Sequence, residues 1–116
     1  MSLKQQGLDA EKQAAEYLKT QGLTLKQSNF SCKLGEIDLI MQDKATLVFV
    51  EVRQRKYSQY GGAAITVTQD KQRKLRNTAK FYLQQTQLTN KVACRFDVLA
   101  IDGEQEKVTW IKSAFY

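Results

Sequence analysis

Hydrophobic and polar positions alternate over residues 35–55, which predicts two β-strands joined by a short polar turn. Odd positions 37–41 are apolar in the first strand, and even positions 48–52 are apolar in the second. If both apolar faces are buried on one side of the sheet, even positions of the first strand pair with odd positions of the second. Asp38 and Glu51 then lie opposite or diagonal to each other, with Cβ atoms about 4.5–8 Å apart.

The side-by-side carboxylates of Asp38 and Glu51 need a positive charge between them, because like charges opposed across strands destabilise a sheet. A hard divalent cation such as Mg²⁺ is bound by one or two carboxylates together with water and substrate phosphate. Alternatively, the acids belong to a charged outer strand face that is neutralised by Arg53, Arg55 and nearby lysines. The alternation by itself leaves both explanations open.

A helix is predicted from residue 3 to about residue 21, with Gly22 as its stop. Leucine and alanine form an apolar stripe along this helix, and Glu11 lies inside that stripe. The Glu11 carboxylate is therefore expected to point toward the core or toward a cleft beside the sheet. It either pairs with a cation of the fold or joins Asp38 and Glu51 near a metal and substrate.

Polar residues and glycines between the apolar segments predict the bounds of the remaining helix and strands. Thr68 is a good N-cap for a second helix that runs to about residue 85. Further strands are predicted at residues 23–32, 94–101 and 108–111. The resulting order, α-β-β-β-α-β-β, predicts a mixed α/β fold in which the second helix lets the fourth strand pair in parallel through a crossover.

Length and composition restrict the class of protein. A chain of 116 residues that is 42% hydrophobic suits one domain, residues 1–116, with one core. No apolar run is long enough to span a bilayer and no signal-peptide pattern is present, so we expect a soluble cytoplasmic protein. With two cysteines, expected as free thiols, and no histidine, neither a structural zinc site nor a histidine triad can be assembled.

The net charge of +6 is concentrated in residues 53–80, where lysines and arginines are opposed only by Asp70. A basic span of this kind is typical of a polyanionic partner, although a solvated helix face has the same composition. It begins on the acidic strand itself, which favours a polyanionic partner over a solvated helix face. If the partner is a nucleic acid, the predicted contacts to its phosphate backbone come from Arg53, Arg55, Lys56, Lys71 and Arg73.

Five segments resemble a known family in their order along the chain: the Glu11 helix, GEIDLI, FVEVRQR, TVTQDKQRKLR and CRFDVLAI. The acids on the helix and on two successive strands are similar to those of the PD-(D/E)xK nuclease superfamily, which has the restriction-endonuclease-like fold. More narrowly, the chain resembles the YraN-type family of uncharacterised bacterial predicted endonucleases, related to archaeal Holliday-junction resolvases.

The resemblance implies a central mixed sheet flanked by helices, and Mg²⁺ or Mn²⁺ as the cofactor. It implies that Asp38 and Glu51 are the metal ligands, together with the carbonyl of Val52, and that Glu11 is a helix-borne acid near the metal. The family pattern has lysine two residues after the second acid, whereas this chain has Arg53 there. Because arginine stays charged, Arg53 would bind phosphate or stabilise the transition state rather than deprotonate water.

The predicted function is Mg²⁺-dependent hydrolysis of DNA phosphodiester bonds, and by analogy the DNA is branched or otherwise structured. One alternative is a catalytically inactive DNA-binding module on the same fold. Another is an interaction protein whose basic face binds an acidic protein partner. The sequence does not decide between DNA and RNA, and it leaves a homodimer open.

Overall fold

The computed structural model describes residues 3–55, 67–102 and 107–116, with side chains for residues 9–54, 67–102 and 107–116. Helices and strands follow one another in the predicted order. Their bounds are α1 (Leu3–Thr20), β1 (Thr24–Cys32), β2 (Gly35–Asp43), β3 (Thr46–Arg55), α2 (Gln69–Gln85), β4 (Ala93–Asp102) and β5 (Lys107–Phe115).

The strands form one five-stranded sheet in the order β1-β2-β3-β4-β5. Neighbouring strands are antiparallel except β3 and β4, which pair in parallel from Thr46↔Ala93 to Arg55↔Asp102. Parallel neighbours need a long connection, and here the chain between them contains α2. The mixed α/β fold and the parallel fourth strand are therefore confirmed.

The two helices cover opposite faces of the sheet. The face under α1 includes Leu39 and Val50, whereas the face under α2 includes Ile40 and Phe49. Both faces are buried at these positions, with each side chain at most 2% exposed. The acids of β2 and β3 therefore do not belong to a strand face that is open to solvent along its length.

The prediction that β2 buries a single apolar face on one side of the sheet is wrong. Leu39 and Met41 belong to the core under α1, but Ile37 packs into the core under α2. Residues two apart in a regular strand share a face. The strand therefore turns about its own axis between Ile37 and Leu39, and Asp38 lies at this turn.

The first half of α2 lies close to the start of β2. The helix begins where predicted, since the Thr68 hydroxyl accepts a hydrogen bond from the backbone N–H of Lys71 at 3.2 Å. At the facing end of β2, Gly35 has φ +148°, and a Cβ there would lie only 2.8 Å from Oγ1 of Thr78. Glycine thus permits both the backbone conformation and the close approach of the helix that carries Lys71.

Two smaller findings bear on the predicted class of protein. Cys32 is half-buried, Cys94 is exposed, and both are free thiols as predicted. Within the ranges that the structure covers, neither helix is long and apolar enough to cross a membrane.

Candidate active site

β2 and β3 separate at one end of the sheet. Their backbone pairing begins at the hairpin turn and ends at Leu39↔Val50. Beyond this point β2 continues to pair with β1, and β3 continues to pair with β4. A gap therefore opens between the two central strands, and the next residues on either side are Asp38 and Glu51.

The Asp38 side chain reaches across this gap. Its Oδ2 accepts a hydrogen bond from the backbone N–H of Val52 at 2.8 Å, where a strand-to-strand bond would otherwise form. The N–H and C=O of one strand residue point to the same edge of the strand, so the Val52 carbonyl also faces the gap. A carboxylate and a carbonyl oxygen are hard ligands of the kind that Mg²⁺ prefers.

Three acids meet here, with Asp38 in the centre. The carboxyl groups of Glu11 from α1 and Glu51 from β3 both lie close enough to Asp38 for its charge to act on them. The Glu51 side chain is 11% exposed, and Oε2 of Glu11 is buried without a hydrogen-bond partner among the described residues. In the part of the chain that the structure describes, no three acids or cysteines surround one point as metal ligands. Asp38 and Glu51, on either side of the gap, are the two acids that could hold a metal ion.

Burial and like charge raise the pKa of two of these acids. Burial is the main reason that the pKa of Glu51 rises to about 7, and the charge of Asp38 adds to it, while Lys71 and Arg53 act in the opposite direction. The pKa of Glu11 also rises to about 7 through burial and then Asp38, opposed by a hydrogen bond from Asn29. Carboxyl groups perturbed in this way are concentrated at functional sites.

One lysine contacts the acids directly. Nζ of Lys71, in the first turn of α2, lies 3.6 Å from Oε2 of Glu51. Arg53 is half-buried on the same strand as Glu51, and its charge acts on that carboxylate. From its sequence position, Lys71 was predicted only to contact a phosphate. Its position beside the acid was missed, because no local spacing links two residues that the long β3–α2 connection separates.

The other predicted nucleic-acid contacts differ from Lys71. Arg73 is exposed, and its guanidinium pairs with Asp70 on its own helix. Lys56 and the side chain of Arg55 lie outside the described residues, so their predicted contacts stay predictions.

A second charged cluster, which was not predicted from the sequence, lies elsewhere in the sheet, on β4 and β5. Asp97 is 0% exposed. Its oxygens accept hydrogen bonds from Nε of Arg95, from Nε1 of Trp110 at 2.9 Å and from the backbone N–H of Ser113 at 3.0 Å. Arg95 also pairs with Asp43 at 2.9 Å. These bonds join the strands and use both carboxylate oxygens, so the cluster stabilises the fold; the aspartate within the apolar run CRFDVLAI was its signal.

The fold and the acids define a mixed α/β protein whose sheet carries a carboxylate cluster where two central strands part. The family described as Uncharacterised protein family UPF0102 matches residues 10–101. The chain is similar to UPF0102 proteins of three bacteria. In Alcanivorax borkumensis the identity is 48%, over 99% of this chain and 94% of the relative. In Pseudomonas fluorescens it is 48%, over 96% and 92%, and in Psychromonas ingrahamii it is 50%, over 94% and 88%.

This chain therefore belongs to the UPF0102 family, and the YraN-type resemblance is confirmed.

Proposed function

We propose that this protein is a metal-dependent endonuclease that hydrolyses phosphodiester bonds in nucleic acids, and that its main substrate is DNA. The observation that supports this most is the meeting of Glu11, Asp38 and Glu51 at a gap in the sheet, with Lys71 beside them. Crowded carboxyl groups favour the binding of a cation, and the adjacent basic groups favour the binding of a phosphate.

The donor atoms fit Mg²⁺ or Mn²⁺. Asp38, Glu51 and the Val52 carbonyl offer only oxygen atoms, which suit these ions better than they suit zinc. One Asp38 oxygen is held by the Val52 N–H, which leaves its other oxygen for a cation. When bound there, the ion would polarise the scissile phosphate and lower the pKa of a water molecule.

The basic side chains would act on the phosphate and on the attacking water. Arg53 stays charged, so it would bind a phosphate oxygen and stabilise the negative charge that develops there. Lys71 stands next to Glu51 and is the ammonium group that β3 lacks at position 53. A lysine at this place orients water and can exchange a proton with it, which a guanidinium does not do.

Our first prediction concerns Arg53. The native protein should cleave DNA in Mg²⁺ or Mn²⁺ at low salt, and Arg53→Lys should cleave at least as fast, because lysine retains the charge and adds a group that can exchange protons. Initial rates on linear DNA, branched DNA and RNA measure this. If neither protein cuts any substrate while both bind DNA, the protein is an inactive DNA-binding module and not an enzyme. The arginine at position 53 favours that alternative.

Lys71 provides a sharper comparison. Lys71→Ala should lower the cleavage rate by about 10²-fold, the lower end of the range for loss of a proton-transferring group. Arg73→Ala is the matched control, since Arg73 lies on the same helix but pairs with Asp70, and it should alter only the affinity for DNA. Adding Arg53→Lys to Lys71→Ala should restore part of the rate, which a purely structural role of Lys71 does not explain. Equal rates for Lys71→Ala and Arg73→Ala would contradict this assignment.

A further inference from the structure

Two cavities lie side by side between α2 and the turn that joins β1 to β2, and both are lined by Ser31 and Cys32. The first, which we call the Lys71 cavity, has a volume of about 360 Å³ and is also lined by Gly35, Glu36, Lys71 and Lys74. The second, which we call the Phe81 groove, has a volume of about 580 Å³ and is also lined by Lys33, Leu34, Phe81 and Gln85. Because they share Ser31 and Cys32, the two cavities adjoin, and we call them together the depression; it extends from Lys71 to the exposed Leu34 and Phe81.

The Lys71 cavity suits a phosphate group. It adjoins the acid cluster because Lys71 itself contacts Glu51. Lys74 pairs with Asp70 at 3.5 Å, but both side chains are well exposed, and exposed pairs of this kind are weak. Among the described lining residues, Lys71 and Lys74 carry two positive charges and Glu36 carries the one negative charge. The balance of charge on the wall is therefore positive.

The Phe81 groove suits a flat apolar ring. Phe81 is 39% exposed and Leu34 is 49% exposed, although both are large hydrophobic side chains. The Phe81 ring packs against the buried Phe30, with ring centroids 6.3 Å apart. One part of the ring is therefore covered by the core, and its exposed part lines the groove. The volume lies within the range of about 300–1,000 Å³ found for small-ligand sites. Nucleobases stack on exposed aromatic side chains of this kind whatever their sequence.

We propose that this depression binds an unpaired nucleotide of the substrate, with its phosphate in the Lys71 cavity and its base against Phe81 and Leu34. The inference rests on the proposed nucleic-acid function and adds a substrate class, namely strands with an unpaired nucleotide next to the phosphate that meets Asp38. A base inside a duplex is covered by its stacked neighbours and cannot enter the groove without leaving the helix.

Charge argues against a second copy of this chain as the occupant of the groove. The chain carries a net charge of +6. Lys33, Lys71 and Lys74 line the depression, and like charges that face each other across an interface oppose association. A nucleic-acid strand brings the complementary charge together with an apolar ring.

Binding without cleavage tests the proposal. In EDTA, the native protein should bind a DNA duplex with one unpaired 2-aminopurine more tightly than the fully paired duplex, and stacking should quench the fluorescence. The double variant Leu34→Ala/Phe81→Ala should lose about 5- to 160-fold in affinity for the unpaired substrate, the range for loss of one stacked base. Its affinity for paired DNA should change less than two-fold, because no base of a paired duplex is free to stack on Phe81. The matched control is Tyr116→Ala, an aromatic side chain that is 91% exposed and lines neither cavity. RNA strands of the same sequence show which sugar is preferred.

Each outcome supports or overturns the proposal. Equal affinity of the native protein for paired and unpaired DNA and RNA overturns it, and so does a preference that the double variant retains. If sedimentation shows that the native protein is a dimer and the double variant a monomer, while the fluorescence quenching is the same for both, the groove binds a second copy instead. Leu34→Ala alone, at an exposed turn position, should show the same trend if the double variant fails to fold. A preference for unpaired strands without cleavage in Mg²⁺ supports this inference and overturns only the proposed hydrolysis.

Discussion

Asp38→Asn is expected to slow cleavage strongly and, at the same time, to stabilise the protein in the absence of metal. A bound metal ion stabilises transition-state charge by several kcal/mol, which corresponds to a loss of roughly 10²- to 10³-fold in rate when it is removed. Asparagine keeps the shape of the side chain, and its oxygen can still accept from the Val52 N–H. Cleavage rates in Mg²⁺ measure the first effect, and thermal unfolding in EDTA measures the second.

The gain in stability follows from the charges around Asp38, and its pH dependence has a definite sign. The pKa of Glu51 rises from 4.5 to about 7 on folding, so the folded state binds more protons than the unfolded state in this window. The contribution of Glu51 to stability therefore falls as the pH rises from 4.5 to 7. Removing the Asp38 charge reduces that fall, and we expect a gain of about 1 kcal/mol at pH 8 over pH 5, relative to the native protein.

Asp70→Asn is the matched control for this experiment. The pKa of Asp70 is lowered by its hydrogen bond to Arg73 and by the charge of Lys74, so its charge is favourable where it stands. Neutralising it should leave cleavage unchanged and should not stabilise the protein. An Asp38→Asn variant that is less stable than the native protein at pH 8 would contradict the picture of repelling acids.

Asp97→Ala is expected to lower the free energy of unfolding by about 3–5 kcal/mol, the range for removing one partner of a buried ion pair. The variant would leave the Arg95 guanidinium without its buried carboxylate, and the Trp110 indole N–H and the Ser113 N–H without their acceptor. Urea unfolding at pH 7 measures this. Asp43→Ala is the control, because Asp43 is the more exposed partner of Arg95 and its loss should cost about 1 kcal/mol. Similar values for both variants would show that Asp97 is not the centre of the cluster.

Features that depend on short stretches of sequence were predicted well. The Thr68 cap fixed the start of α2, since the cap and the N–H that it accepts from are only three residues apart. The odd-to-even register of β2 and β3 followed from alternation on both sides of a short turn. The approach of Asp38 to Glu51 rests on this register.

Features that depend on packing between distant segments were not predicted. The alternation of apolar and polar residues cannot show that β2 twists at Asp38, so that Ile37 packs into the core under α2. The contact between Lys71 and Glu51 depends on how closely α2 approaches the sheet, which Gly35 permits. The donors that satisfy Asp97 come mostly from β5, so its burial could not be predicted from the run CRFDVLAI alone.

The hydrogen bond from the Val52 N–H to Asp38 has a consequence for the thermodynamics of ligand binding. A free aspartate side chain populates several rotamers, and a ligand that selects one of them must offset the lost entropy. Here one carboxylate oxygen is fixed at 2.8 Å from a strand amide, so the rotamer is selected when the chain folds. A cation would meet a carboxylate that is already oriented, and its affinity would not be reduced by ordering that side chain.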